Sequence, residues 1–258
     1  MKISFIGAGR VAYHLAKALC VHHQIVQIYS RTFEKADWLA QQVQAEAVTH
    51  FEDIYSNIDL VIIAVNDQSI AKVIESLSLR LKDVCIVHTS GSTHLNILTK
   101  FHEKSGVFYP LQTFSFEREI DWKNTPLFVE ATHDQDLVNL KDIANSLSNS
   151  VYSYNSEQRL SLHLAAVFAC NFSNYCYDIA KQIVDAKQVD FSLLYPLIQE
   201  TANKVLVNNP KDMQTGPAMR GDENIIQMHT NMLMQDQRED LKAVYQLLSQ
   251  QIVERHQS

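Results

Sequence analysis

Lys2-Ile3-Ser4-Phe5-Ile6-Gly7-Ala8-Gly9-Arg10-Val11-Ala12 is the stretch that decides how this chain folds. Its first five residues make a short apolar run of strand character. Val11, Leu15, Ala18 and Leu19 then recur with helical spacing. Between the two lies G-x-G-x-x-A. Gly7 allows a tight turn off the strand, Gly9 lets bare backbone approach a diphosphate, and small Ala12 lets the helix lie against a sheet. The helix N-terminus adds unpaired N–H groups and the positive end of a dipole. Strand, turn and helix in this order predict a dinucleotide held by Gly7, Ala8, Gly9, Arg10 and Val11.

The second strand, Gln24-Ile25-Val26-Gln27-Ile28-Tyr29, ends at Ser30-Arg31-Thr32. A protein selecting NAD places a carboxylate here, on the ribose hydroxyls. A carboxylate would repel a 2′-phosphate, whereas a guanidinium flanked by two hydroxyls can clamp one with charge-assisted hydrogen bonds. Ser30, Arg31 and Thr32 therefore point to NADP as the cofactor.

Bulk properties narrow the class. With 258 residues and 46% apolar content, the chain can fill one large or two modest cores. A net charge of −7 without a basic stripe argues against a nucleic-acid or anionic-membrane surface. Cys20, Cys85, Cys170 and Cys176 show no paired spacing, which suits free thiols and a cytoplasmic location. The apolar start is too short for a signal peptide, and no segment has the length of a membrane span. Eleven histidines form neither H-E-x-x-H nor an alternating Cys/His set, so no metal site is expected.

Residues 1–154 alternate strand-like and helical runs. Strands are expected at 59–65, 84–87, 106–109, 127–130 and 151–154, with helices at 32–45, 67–80, 93–104 and 134–147. Several strands are continuously apolar and β-branched, as in a parallel sheet covered on both faces. This predicts an α/β fold, a doubly wound Rossmann sheet with ligands at the carboxyl ends of its strands. From Asn155 the character changes. Asn155-x-x-Gln158 resembles a capping box, and no Gly or Pro follows until after Ala186. Helical patterns continue at 190–207, 222–235 and 237–255, so residues 155–258 form a second, all-helical domain for substrate and dimerisation. The middle of its first helix is apolar almost all round, which predicts burial on most sides and suggests a homodimer.

Scarce glycine marks the chemistry. His88-Thr89-Ser90-Gly91-Ser92 follows the fourth predicted strand, where His88 and Ser90 could touch cofactor or substrate; a polar connection with Ser92 as N-cap is the plainer reading. Asn66-Asp67 after the third predicted strand is similar, with Asp67 most simply an N-cap whose backbone would pass close to the cofactor. Gln112 and Thr113, after Tyr109-Pro110, could orient a small polar ligand. His163 is a candidate proton donor or acceptor, because imidazole as a group exchanges protons near neutrality, though a lone histidine in an apolar helix is more often a core residue. Asn171 lies two turns further on. In Thr215-Gly216-Pro217-Ala218-Met219-Arg220-Gly221-Asp222, Arg220 could hold a carboxylate and Asp222 could cap a helix.

GAGRVA at 7–12, Ser30-Arg31, DLVIIAVND at 59–67, HTSGS at 88–92, YPLQTF at 109–114, HLAAVFACN at 163–171 and TGPAMRGD at 215–222 together carry a resemblance. The chain resembles the Rossmann-like proteins with a C-terminal domain of unknown function 2520, labelled as NADP oxidoreductases. More remotely its layout is similar to hydroxyisobutyrate dehydrogenases, ketopantoate reductases, pyrroline-5-carboxylate reductases and deazaflavin-dependent NADP oxidoreductases. The resemblance implies a helical domain of the 6-phosphogluconate dehydrogenase type. It also implies that Gly7, Gly9, Arg10, Val11, Ser30 and Arg31 hold NADP, beside Val65 and Asn66. One departure concerns catalysis. The hydroxyacid enzymes carry Lys-x-x-x-Asn on the first long helix; with His163 in the lysine position, the asparagine position is Val167.

The expectation is an NADP-dependent oxidoreductase acting on a small polar carbonyl, imine or hydroxy compound. His163, Asn171, Ser90 and Arg220 are its candidate catalytic residues, with His88 beside the cofactor. The alternative is a non-catalytic NADP-binding redox sensor or interaction protein.

Overall fold

The computed structural model describes residues 1–257. Ser258, the last residue of the second predicted domain, lies outside the described residues. Two compact units are present, residues 1–169 and 170–258.

In the first unit, β1 (Lys2–Ile6) leads through the glycine turn into α1 (Arg10–Leu19). β2 (Gln24–Tyr29), α2 (Phe33–Val43), β3 (Glu46–Val48), β4 (Leu60–Ile63) and α3 (Asp67–Ser78) follow. Next come β5 (Cys85–His88), the single turn α4 (Asn96–Thr99) and β6 (Ser105–Pro110). β7 (Leu127–Ala131), α5 (Asp134–Leu147), β8 (Val151–Ser153) and α6 (Ser156–Ala166) complete the unit. The sheet order is β3-β2-β1-β4-β5-β6-β7-β8. Its first six strands therefore form a Rossmann sheet, with the order reversing between β1 and β4.

Two apolar layers sandwich the sheet. Ala12, Leu15, Leu19, Leu39 and Ile143 bring α1, α2 and α5 onto one face. Ile70, Ile74, Leu77 and Leu98 bring α3 and α4 onto the other. With both faces covered, β4 buries all four of its residues, which is why its sequence does not alternate.

Three local readings differ from expectation. β3 is too short and too polar to register as a strand. The helix expected at 93–104 is reduced to Asn96–Thr99, because His102 bonds the carbonyl of Val84 at 2.8 Å and Ser105 bonds that of His102 at 2.7 Å. The sheet is also not wholly parallel: β7 runs antiparallel to β6, and β8 is parallel to β7.

That reversal positions the site. The chain leaves β8 near Glu130, which pairs with Val107, so α6 climbs back toward the carboxyl ends of β5 and β6. Its start is capped as predicted. The Gln158 N–H donates to the Asn155 side chain at 2.9 Å, and the Asn155 N–H donates to the Gln158 side chain at 3.1 Å. Leu162 then packs with Leu95, Val107, Tyr109 and Phe128. This packing places residues 155–169 with the α/β unit, so the compact division falls inside the long helical run, not at 154/155.

The second unit continues from a π-helical segment (Val167–Phe172) into α7 (Ser173–Asp185). α8 (Tyr195–Val207), the short α9 (Pro217–Arg220), α10 (Glu223–Gln235) and α11 (Glu239–Gln257) follow. Gly216-Pro217 opens α9 with Pro217 in its first turn. The predicted burial of the long helix does not hold within one chain. No residue of α7 or α8 is buried, and Leu164 is 59% exposed. Among the described residues, no helix is long and apolar enough to cross a membrane.

Candidate functional site

Gly7 turns the chain off β1 with φ +119°, and a Cβ there would lie 2.4 Å from the carbonyl oxygen of Ala64. Only glycine fits so close to β4. Gly9 is different. It occupies the N-cap of α1, makes no side-chain cap, and a Cβ on it would meet nothing within 4 Å. Space is left beside bare backbone at a helix N-terminus whose first turn carries no acid. Ala12 is fully buried against the sheet, as its small size predicts.

A cleft of about 410 Å³ opens over this turn. Gly7, Ala8, Gly9, Ser30, Arg31, Val65 and Asn66 line it, as expected from the sequence. Lys35 and Lys72 also line it, and with Arg31 they supply three cations; no lining residue is acidic. Tyr29 stacks on Phe51 at 4.3 Å between ring centres, making an aromatic wall. Bare amides, a helix N-terminus, apolar walls and local cations fit a phosphorylated dinucleotide. The two lysines were not singled out from the sequence, because lysine on an amphipathic helix ordinarily marks only the solvent face.

The other predicted cofactor residues stand differently. Arg10 lines an adjoining groove and lies 5.9 Å over the Phe116 ring. Val11 packs against the core, and Thr32 is the N-cap of α2. His88 is fully buried in β5, where its Nδ1 accepts the Ser90 N–H at 3.1 Å. The His88 side chain therefore braces the loop from inside. Asn66, not Asp67, occupies the N-cap of α3, while Asp67 accepts a hydrogen bond from Ser92 Oγ and joins two of the loops.

Ser90 is spent on its own turn. Its Oγ accepts the N–H groups of Ser92 at 3.1 Å and Thr93 at 3.0 Å, and donates to Thr93 Oγ1 at 2.9 Å. Gln112 is engaged likewise, accepting the Thr113 N–H at 2.8 Å. These two residues shape loops.

His163 meets a partner that was passed over in the sequence. Tyr109, at the end of β6, lies with its Oη 3.2 Å from His163 Nδ1. Burial pushes the Tyr109 phenol up to about 12, so it stays protonated beside the ring nitrogen. Gly91 is wedged against both; a Cβ there would sit 2.6 Å from His163 Nδ1 and 2.7 Å from Tyr109 Cζ.

One turn earlier on α6, Arg159 is fully buried. Nη1 donates to the carbonyls of Gly91 at 3.4 Å and Thr93 at 3.0 Å. Nη2 donates to Ser156 Oγ at 3.0 Å and Glu130 Oε2 at 3.4 Å. Burial lowers the Arg159 pKa and the Glu130 carboxylate opposes that. No periodicity marks a buried arginine, which reads as a surface residue until its acidic partner on another strand is seen.

Asn171 and Arg220 belong to the second unit. Asn171 is exposed in the π-helical segment, a feature frequent at functional sites. Arg220 is exposed at the end of α9, just before Gly221 in the left-handed region. Asp222 caps α10 as expected, accepting the Ile225 N–H at 3.3 Å.

Residues 2–91 match a family described as NADP oxidoreductase coenzyme F420-dependent, and residues 125–252 match Domain of unknown function (DUF2520). A Bacteroides fragilis crystal structure, named "putative NADP oxidoreductase BF3122", is 44% identical over 98% of each chain, with a TM-score of 0.91. The chain belongs to this NADP oxidoreductase family. An imine reductase from Myxococcus stipitatus in complex with NADP+ shares the fold at 16% identity, covering 98% of this chain and 93% of that one, with a TM-score of 0.73. A reductive aminase from Aspergillus terreus, in complex with NADPH and ethyl-5-oxohexanoate, does so at 14% identity, with coverage of 98% and 93% and a TM-score of 0.73. No curated protein matches.

His88 gives the site a pH signature. Burial, reinforced by Arg159 and His94, lowers its pKa from 6.5 to about 3. Below pH 6.5 the unfolded chain takes up the proton and the folded one does not, so stability falls with pH down to about 3. The slope is about 1.4 kcal/mol per pH unit. Replacing His88 by Asn should flatten this acid limb, read as denaturant-unfolding free energy at pH 7, 6, 5 and 4.

Proposed function

We propose that this oxidoreductase moves a hydride between NADP(H) and a small polar carbonyl, imine or hydroxy compound. The observation that carries the reading is the acid-free cleft with its bare glycine turn and three cations, set in the same unit as the His163–Tyr109 pair. When bound, NADPH supplies the hydride. The helix N-terminus of α1 and the amides of residues 7–9 hold the diphosphate. Arg31, Lys35 and Lys72 hold the 2′-phosphate, while Val65 and Phe51 flank the adenine. The fold neighbours in complex with NADP+ and NADPH support this reading.

Proton exchange falls to His163. In this reading the Tyr109 O–H donates to Nδ1, 3.2 Å away, which leaves Nε2 as the nitrogen that gives or takes the substrate's proton. Arg220 holds the substrate's anionic end from a second copy. Ser90 and His88 act by holding the loop, consistent with their internal bonds.

The second copy follows from the helical unit. α7 and α8 seal no side chain, and Leu193, Leu197, Leu206 and Val207 are 62–81% exposed. So much exposed apolar surface marks an interaction site. A homodimer through residues 170–258 covers it, the same face of each copy meeting its symmetry mate.

Three outcomes test these statements. Fluorescence titration should show NADPH binding weakened about tenfold or more by Arg31→Ala, with NADH binding little changed, since one charge-assisted contact is lost. Equal loss for both would place Arg31 elsewhere. Against a panel of small carbonyl and imine compounds, His163→Ala should abolish NADPH oxidation while leaving NADPH affinity nearly intact; a wild-type protein that binds NADPH and reduces nothing would be the sensor. Light scattering should give the mass of two chains, and Leu197→Glu should reduce it to one.

A further inference from the structure

Arg159 is the largest fully buried side chain among the described residues, yet it does not line the cleft over the glycine turn. A buried guanidinium with its carboxylate seldom adds net stability over apolar residues of the same volume, because desolvation offsets the attraction. What the group does here is geometric. Two of its N–H bonds end on backbone carbonyls of the turn after β5, those of Gly91 and Thr93. Two end on Glu130 and Ser156, which anchor the guanidinium to β7 and to the start of α6. Ser156 Oγ also receives the Leu95 N–H at 2.9 Å, so the turn is held at 91, 93 and 95.

The held turn is the one that wedges His163 and Tyr109. Gly91 lies so close to both rings that a single added carbon would overlap them. The relation of the two rings thus depends on where the peptide at residue 91 sits. Arg159 and His163 are also four residues apart on one face of α6, so helix, turn and strand end share one frame.

We propose that Arg159 is a positioning residue whose planar fork fixes the Gly91–Thr93 turn against the His163–Tyr109 pair, and thereby fixes which nitrogen of His163 carries the proton. The proposal rests on the proton-exchange reading of that pair. It requires the fork, not the charge alone. A lysine ammonium keeps the cation but cannot span two carbonyls, a hydroxyl and a carboxylate in one plane.

Ring-nitrogen NMR of the full-length, histidine-labelled protein at a pH where His163 is neutral tests it, with His163→Gln used for assignment. Wild type should show the single Nε2–H tautomer. Tyr109→Phe should give a mixture of tautomers, and Arg159→Lys and Arg159→Met should give the same mixture. NADPH binding should stay within about twofold of wild type in both arginine variants, since their site lies outside the cofactor cleft. A folded Arg159→Lys variant that keeps the wild-type tautomer overturns the proposal, whatever Arg159→Met does. If Tyr109→Phe keeps the wild-type signature, the proton-exchange reading fails first and this inference with it. The two failures are thus distinguishable.

Discussion

Contact between Gly7 and the Ala64 carbonyl is the constraint on which the cofactor half of the structure rests. β1 and β4 are neighbours because the strand order reverses between them, and the chain leaving β1 must turn within the width of one peptide. Any side chain at Gly7 would drive the strands apart. Because none is present, the turn can pass directly to a helix N-terminus and leave Gly9 facing open space. The cleft is therefore a by-product of how two parallel strands meet.

Electrostatics divides the site into two regimes. The protein carries a net charge of −7, yet Arg31, Lys35 and Lys72 gather at one cleft with no acid among them. Those cations are solvated and can meet an anion at little cost. Arg159 is the opposite case, a cation whose every used donor is spent inside the protein. Near it, His88 is held neutral and Tyr109 is held as a phenol. Charge at the rim suits recognition; neutrality and fixed dipoles around His163 suit proton exchange.

Much of this was readable in advance, and the misses have physical causes. The glycine turn, the two-faced sheet and the capping box at Asn155 are local devices, so adjacent residues specify them. Ser30 and Arg31 are legible as cleft residues because they follow directly from the end of β2. Tyr109, Arg159 and Glu130 were not, since their meaning comes from contacts across 29 to 68 residues of chain. His88 and Ser90 misled for a related reason. A polar loop at the right strand end suggests ligand contact, whereas His88 Nδ1 and Ser90 Oγ bond neighbours two and three residues away. The apolar long helix was read as buried, and one chain alone leaves it bare.

The unsealed helices α7 and α8 have a consequence outside the active site. In an assembly of two copies, order in that region becomes a matter of mass action. Each tenfold dilution of the chain then removes about 1.4 kcal/mol from the folded side of the balance. For the proposed dimer, abundance itself becomes a determinant of thermal endurance, and a scarce population would soften sooner than a crowded one of identical sequence.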